Sequence, residues 1–278
     1  MTKILVTGAT GNVGRELIKQ LPAADVRLLS RHPAAVPEAM AGDVVAGDVV
    51  AGDLGRPESL VPALDGVGVV FLIWPFLTAD AAPAVLEQVG GRRVVYLSSS
   101  GLSEGHDDPI NRMHAELERL VERQAGGWTI LRSNTIASNA RGWAGQIRST
   151  GVVRGPDIPA TAVVHERDLA SVAARALRSD ELAGQRLVLT GPQVLTRAEQ
   201  VAALGAALGR ELRFEAVPAE DARAQMLADG RPSVLVEALL SNVGRPPSGL
   251  ITSTIAELTG SPARSLADWA QEHVGEFR

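Results

Sequence analysis

The segment VTGATGNVGRE places glycines at positions 8, 11 and 14, directly after the apolar run KILV and at the opening of a helical pattern, NVGRELIKQL. A strand that ends in three glycines at this spacing and passes straight into a helix constrains the fold more than any other stretch of the chain. Glycine allows the tight turn and a close backbone approach to a bulky anion, and the unpaired N–H groups at a helix start favour negative charge. The arrangement predicts a dinucleotide pyrophosphate seated on Gly8, Thr10, Gly11, Asn12, Val13 and Gly14, with Thr10, Asn12 and Val13 supplying hydrogen bonds from the turn. The alternative is a tight turn that holds no ligand.

Strand-like and helical runs then alternate: VRLLSR, GVVFLIW with DAAPAVLEQV, RRVVYLSSS with INRMHAELERLVERQ, and WTILRSN. That order predicts an α/β fold, a Rossmann-type doubly wound parallel sheet whose strands are apolar on both faces. Hydrophobic residues make up 45% of the chain but aromatics only 3%, so the core must be built from Ala, Val, Leu and Ile. Beyond Gly191 the pattern changes to TRAEQVAALGAALGRE, a short FEAVP strand and helices around GRPPSG, which reads as a small, mainly helical C-terminal lobe. The expected division is a nucleotide-binding domain over 1–134 and a substrate lobe over 135–278, with segments around 151–190 returning to the sheet. VHERDLASVAARALRS reads as a helix with Asp168 as its N-cap, and QRLVLTG as a strand. The repeat AGDVV at Ala41 and Ala46, followed by AGDL at Ala51, reads as a duplication accommodated by a surface loop, because loops absorb insertions at little entropic cost. Only its last copy, which leads into GRPESL, is positioned for function.

The end of the second strand decides which dinucleotide is bound. A carboxylate there would accept from the adenine-ribose 2′-hydroxyl, but VRLLSR ends on Ser30 and Arg31. A planar guanidinium can grip a 2′-phosphate through two parallel hydrogen bonds, so Arg31 points to NADP(H). The alternative is a solvated surface arginine.

Other features exclude function classes. A net charge of −5 with no basic run argues against nucleic acid, and the absence of cysteine removes disulfides, thiol chemistry and cysteine-ligated metal. The longest apolar runs fall short of the roughly 20 residues of a membrane helix, and MTKILVTGATG carries no leader pattern, so a cytoplasmic protein is expected. GHDDP, with His106, Asp107 and Asp108, reads as a loop, and no second histidine stands at ligand spacing, so no metal site is expected. Nothing in the sequence sets an oligomeric state.

Taken in order and spacing, GATGNVGRE, VRLLSRHP, GDLGRPESL, VVFLIWP, VVYLSSSG, HAELERL, WTILRSN, RDLASVAARAL, LTGP and SLADWAQEHV resemble the NmrA-like atypical short-chain dehydrogenase/reductases over nearly the whole chain. That group includes NADPH-dependent quinone oxidoreductases and also NADP-binding regulators without activity. The resemblance implies that Asp53 and Leu54 lie along adenine, and that Ile73, Trp74 and Pro75 wall the ribose and nicotinamide. It further implies that Ser98 and Ser99 lie near the reactive ring, and that His114 stands where other short-chain enzymes place lysine. Trp74 could equally fill core, but its position at a strand's carboxyl end favours the cleft.

The chemistry turns on a missing proton donor. The chain has one tyrosine, Tyr96, inside a strand, and two lysines, Lys3 and Lys19, so no Tyr-x-x-x-Lys pair exists. An unactivated ketone needs an acid at its oxygen, worth about 10² to 10⁴ in rate, whereas a quinone or conjugated carbonyl delocalises the charge and needs less help. The expected function is therefore an NADPH-dependent oxidoreductase acting on such a small-molecule acceptor, with His114 as the remaining donor or cofactor anchor, or else a structural histidine. His165 and Asp168 resemble a catalytic pair only superficially. A non-catalytic NADP(H)-sensing regulator is the alternative.

Overall fold

The computed structural model describes residues 2–36 and 47–278. Strand β1 (Lys3–Val6) buries all but its first residue, and helix α1 (Asn12–Ile18) starts as soon as the glycine turn is complete. The alternation continues through β2 (Val26–Ser30), β3 (Asp48–Ala51), α2 (Val61–Leu64), β4 (Val67–Leu72), α3 (Ala82–Val89), β5 (Arg93–Ser99), α4 (Pro109–Gln124) and β6 (Gly127–Ser133). Then come α5 (Ala144–Thr150), β7 (Val152–Pro156), β8 (Thr161–Ala162), α6 (Glu166–Arg178) and β9 (Gln185–Leu189). The chain finishes with β10 (Val194–Leu195), α7 (Arg197–Leu208), β11 (Arg213–Val217), α8 (Ala219–Ala228), α9 (Ser233–Leu240), α10 (Thr254–Thr259) and α11 (Leu266–Glu272).

Seven strands form a parallel sheet in the order β3-β2-β1-β4-β5-β6-β9. The last pairing runs the same way: the Gly184 N–H donates to the Trp128 carbonyl, and the Asn134 N–H donates to the Leu189 carbonyl. This is the Rossmann-type sheet that the alternation predicts. Side chains alternate across a strand, so β5 reveals the two helix layers. Tyr96 and Ser98 reach His114 and Glu118 on α4, whereas Arg93 reaches the carbonyls of Ala176, Leu177 and Ser179 at the end of α6. Helices α4 and α6 therefore cover opposite faces, and Arg93 satisfies carbonyls that the end of α6 leaves without a helical partner.

The chain forms two compact units. The first comprises Met1–Gly105, Asn111–Ser133 and Glu166–Val188, with a core of aliphatic side chains and Phe71 and Tyr96 as its fully buried rings. The second comprises His106–Ile110, Asn134–His165 and Leu189–Arg278. There Trp269 and Phe277 pack with Ile147, Val201 and Leu204, and a smaller cluster joins Ala222, Val236 and Leu240. Capping boxes start α7 (Thr196 with Glu199) and α11 (Ser265 with Asp268), satisfying two orphan N–H groups at each helix start.

Three local expectations change. The AGDVV repeat is not all loop, because Asp48–Ala51 pairs with β2 as the edge strand; its β-branched Val49 and Val50 suit a strand, and Asp48 accepts from Arg27 Nε at 3.0 Å and Lys3 Nζ at 3.3 Å. Residues 41–46 of the repeat lie outside the described residues. Asp168 is not an N-cap: α6 begins at Glu166, so Asp168 sits buried in the first turn, where the helix dipole favours a carboxylate. Within 151–190 only β9 joins the large sheet; β7 pairs with β11 and β8 with β10.

Candidate functional site

Strand order reverses on either side of β1, which lies between β2 and β4. In an open parallel sheet, ligands bind beyond the carboxyl ends of the strands at such a switch point. The registers line these ends up: Val6 stands opposite Leu28 and Phe71, Ser30 opposite Ala51, and Leu72 opposite Tyr96. Gly8, Arg31, Asp53, Ile73 and Ser98 all follow from these ends or sit at them.

The glycine turn is built by close backbone contact. Gly8 holds φ +63°, which an L side chain rarely adopts, and a Cβ added to it would lie 3.2 Å from Ile73. A Cβ on Gly14 would come within 2.2 Å of the Gly8 carbonyl oxygen and 2.9 Å of Ala9 Cα, so the first turn of α1 rests directly on the loop. The Gly11 N–H donates to the Gly8 carbonyl at 2.9 Å, and Arg15 Nε donates to the Thr10 carbonyl at 2.8 Å. Gly8, Thr10, Gly11 and Asn12 are exposed, while Val13 and Gly14 are buried. Behind the turn, buried Thr7 joins β1 to β4. Its hydroxyl accepts from the Ile73 N–H at 2.8 Å and lies 3.2 and 3.1 Å from the carbonyls of Phe71 and Ile73, able to donate to either. An exposed glycine turn of this kind at the start of a helix fits a pyrophosphate.

At the end of β2, Arg31 is exposed and its side chain pairs with nothing among the described residues. The neighbouring Ser30 Oγ instead accepts from the His32 N–H at 3.1 Å. Asp53 shapes its own loop, with Oδ1 accepting from the Gly55 N–H and its N–H donating to Ser59 Oγ, both at 2.9 Å; Leu54 is buried beside it. After β4, Ile73 is half-buried against Gly8 and Pro75 is exposed. Trp74 turns inward instead: its indole N–H donates to the Thr78 carbonyl at 2.8 Å and its ring stands edge-on to Phe76.

The three residues read near the reactive ring divide between roles. Ser98 Oγ donates to Glu118 Oε1 at 2.6 Å and is buried with it, and Ser99 Oγ accepts from the Gly101 N–H at 3.2 Å. His114 Nδ1 lies 2.6 Å from Tyr96 Oη. Burial, and then the nearby Glu118 charge, push the Tyr96 phenol well above its ordinary value near 10, so it keeps its proton. That proton has one acceptor among the described residues, Nδ1, so with Tyr96 donating to it the imidazole's own proton sits on Nε2. Heteronuclear NMR should find His114 as the Nε2–H tautomer in the native chain, and Tyr96→Phe should release that preference and cost about 1 kcal/mol of stability. An Nδ1–H signal in the native protein would refute the arrangement. Because the folded value of Tyr96 is raised, its stabilising effect is complete below about pH 10 and is lost as pH rises toward the folded value.

Thr7 and Tyr96 are the residues that sequence reasoning left out. Thr7 could have been noticed from its place immediately before the turn. Tyr96 meets His114 only once strand and helix are packed.

Residues 8–180 match the NAD(P)H-binding family. The chain belongs to that family. Within it, the chain falls among the NmrA-like atypical short-chain dehydrogenase/reductases and is an NAD(P)H-dependent oxidoreductase. It is 39% identical over 284 residues to a (4-alkanoyl-5-oxo-2,5-dihydrofuran-3-yl)methyl phosphate reductase of Streptomyces griseus, covering 99% of both chains. It is 32% identical to an NAD(P)H azoreductase of Xenophilus azovorans, again over 99% of each. Among solved structures, an NADPH-dependent quinone oxidoreductase of Escherichia coli superposes with a TM-score of 0.80 at 25% identity, over 97% of this chain and 98% of that one. Among the described residues no helix is long and apolar enough to cross a membrane.

Proposed function

We propose that the chain is a cytoplasmic reductase that uses NADPH to reduce a small conjugated acceptor, a quinone or an enone-type carbonyl. The observation that carries the cofactor half is Arg31, exposed and unpartnered among the described residues at the end of β2, with no carboxylate at that strand end. Its guanidinium pairs with the 2′-phosphate of NADP(H) while the N–H groups of Asn12 and Val13, at the start of α1, face the pyrophosphate. Leu54 with Asp53 lies along adenine, and Ile73 and Pro75 border the nicotinamide half. The bound cofactor supplies a hydride.

The acceptor half rests on chemistry. The names of the three relatives describe reduction of an oxo-dihydrofuran, an azo compound and a quinone, each a π system that spreads incoming charge. The single tyrosine is committed to His114, and Lys3 and Lys19 lie in β1 and just after α1, so no Tyr-x-x-x-Lys donor is available. The proton comes from His114, held as its Nε2–H tautomer by Tyr96, or from water, and the second unit, mainly Asn134–His165 and Leu189–Arg278, serves as the substrate lobe. Ser98 supports this arrangement from behind through Glu118.

Arg31→Ala is expected to weaken NADPH by roughly 10- to 100-fold, the worth of a charge-assisted contact, and NADH by less than about threefold. Equal losses in titration calorimetry would overturn the 2′-phosphate assignment. Stopped-flow mixing of the NADPH complex with quinones, enones and saturated ketones should show rapid loss of nicotinamide absorbance with the first two only. Turnover of saturated ketones at the same rate, or of none of the three, would overturn the acceptor class.

A further inference from the structure

A cavity of about 810 Å³ is walled entirely by residues of the second unit. Two arginines converge on one stretch of its wall. The Arg197 guanidinium lies over the Trp143 ring at 5.2 Å from its centroid, and Arg231 Nη2 would lie 3.9 Å from a Cβ placed on the adjacent Gly142. Arg197 hydrogen-bonds to Gln200 Oε1 at 3.2 Å, and among the described residues no carboxylate pairs with either arginine. Burial lowers Arg197 to about 10, which leaves it charged at neutral pH and records the cost of an uncompensated cation. The third arginine of the lining, Arg154, is already paired with Glu215 at 2.8 Å. Two carboxylates also line the cavity, Asp221 and Asp229; Asp229 accepts from Gln225 Nε2 at 2.8 Å.

Asn139, Gln146, Ser149, Thr150 and Gln225 add uncharged polar groups to the wall, and the remainder is apolar. On α9, Val236 and Leu240 belong to the small core with Ala222, while Leu235 and Leu239, one turn apart, line the cavity. Phe214, Val217 and Met226 extend this surface. A chamber with a leucine and aromatic surface and two guanidinium groups, neither paired with a carboxylate among the described residues, matches a molecule with an anionic head and an aliphatic body.

We propose that this cavity binds an amphiphilic organic anion, with a phosphate or carboxylate head between Arg197 and Arg231 and an alkyl tail along Leu235 and Leu239. Binding does not require the hydride transfer proposed above. Calorimetry on the full chain would compare n-octyl phosphate, octanoate, octan-1-ol and inorganic phosphate. One or both octyl anions should bind saturably, with the alcohol and inorganic phosphate at least tenfold weaker, and the stronger anion identifies the head. Arg197→Gln and, separately, Leu235→Glu should each weaken that anion at least tenfold, while Arg31→Ala should leave it unchanged. Loss with Arg31→Ala would assign the anion to the cofactor site and overturn the proposal, as would equal affinity for octan-1-ol or indifference to both cavity substitutions. Should Arg197→Gln fail to melt cooperatively, Leu235→Glu and the comparison of heads in the native chain decide.

Discussion

Gly14→Val is expected to abolish measurable NADPH binding and to lower stability by about 3 kcal/mol. A Cβ at this position would meet the Gly8 carbonyl oxygen at 2.2 Å and Ala9 Cα at 2.9 Å, and both obstacles are backbone. Neither can swing aside as a long side chain would, so α1 must retreat from the turn and carry the N–H groups of Asn12 and Val13 with it. Overpacking of this kind commonly costs about 1–3 kcal/mol, and a branched side chain against backbone sits at the upper end. Gly11→Ala gives the comparison, because its Cβ would meet the Gly8 carbonyl only at 3.2 Å. That variant should fold normally and bind NADPH with a smaller loss. Calorimetry and thermal melting check both, and Gly14→Val binding NADPH within threefold of the native chain would refute the cradle.

The second large effect is expected at Arg132. Its guanidinium grips Glu118 through two bonds, Nε to Oε1 at 2.9 Å and Nη2 to Oε2 at 2.6 Å, and Ser98 Oγ adds a third at 2.6 Å. Glu118 is only 3% exposed. Removing one partner of a buried pair leaves an uncompensated charge and costs about 3–5 kcal/mol. Arg186 stands 3.6 Å away and is partly exposed, so it supplies some compensation. Arg132→Ala should therefore lose about 3 kcal/mol in denaturant unfolding. Adding Glu118→Gln, which removes the stranded charge, should restore part of that loss. A loss under about 1 kcal/mol for the single variant would show that the pair contributes little. The same pair anchors α4, which carries His114, so the variant should also slow turnover.

Much of this fold is legible in the sequence because its signals are local. VTGATGNVGRE states a strand, a turn and a helix within eleven residues, and the aliphatic strands state their own burial. Arg31 is legible for the same reason, since its position follows from where VRLLS ends. What escapes is set by packing between distant segments. Tyr96 and His114 are 18 residues apart and meet only because a strand of period two faces a helix of period 3.6. Ser98 reads as a residue of the reactive end, yet a buried glutamate on α4 takes its hydroxyl. Trp74 reads as cleft wall from its place at a strand end, yet its ring is buried and its indole N–H finds the Thr78 carbonyl. The strand Asp48–Ala51 is hidden by its own repetition, because two copies of one motif signal duplication more strongly than they signal pairing.

Thr7 ties the two central strands together at their mouths through its own hydroxyl and the backbone of β4 and the residue that follows it. A receptor already set in its binding shape spends little of its affinity on ordering itself. Capture of the coenzyme should then run at a rate governed by diffusion and charge, leaving the lifetime of the complex as the quantity that differs between its reduced and oxidised forms.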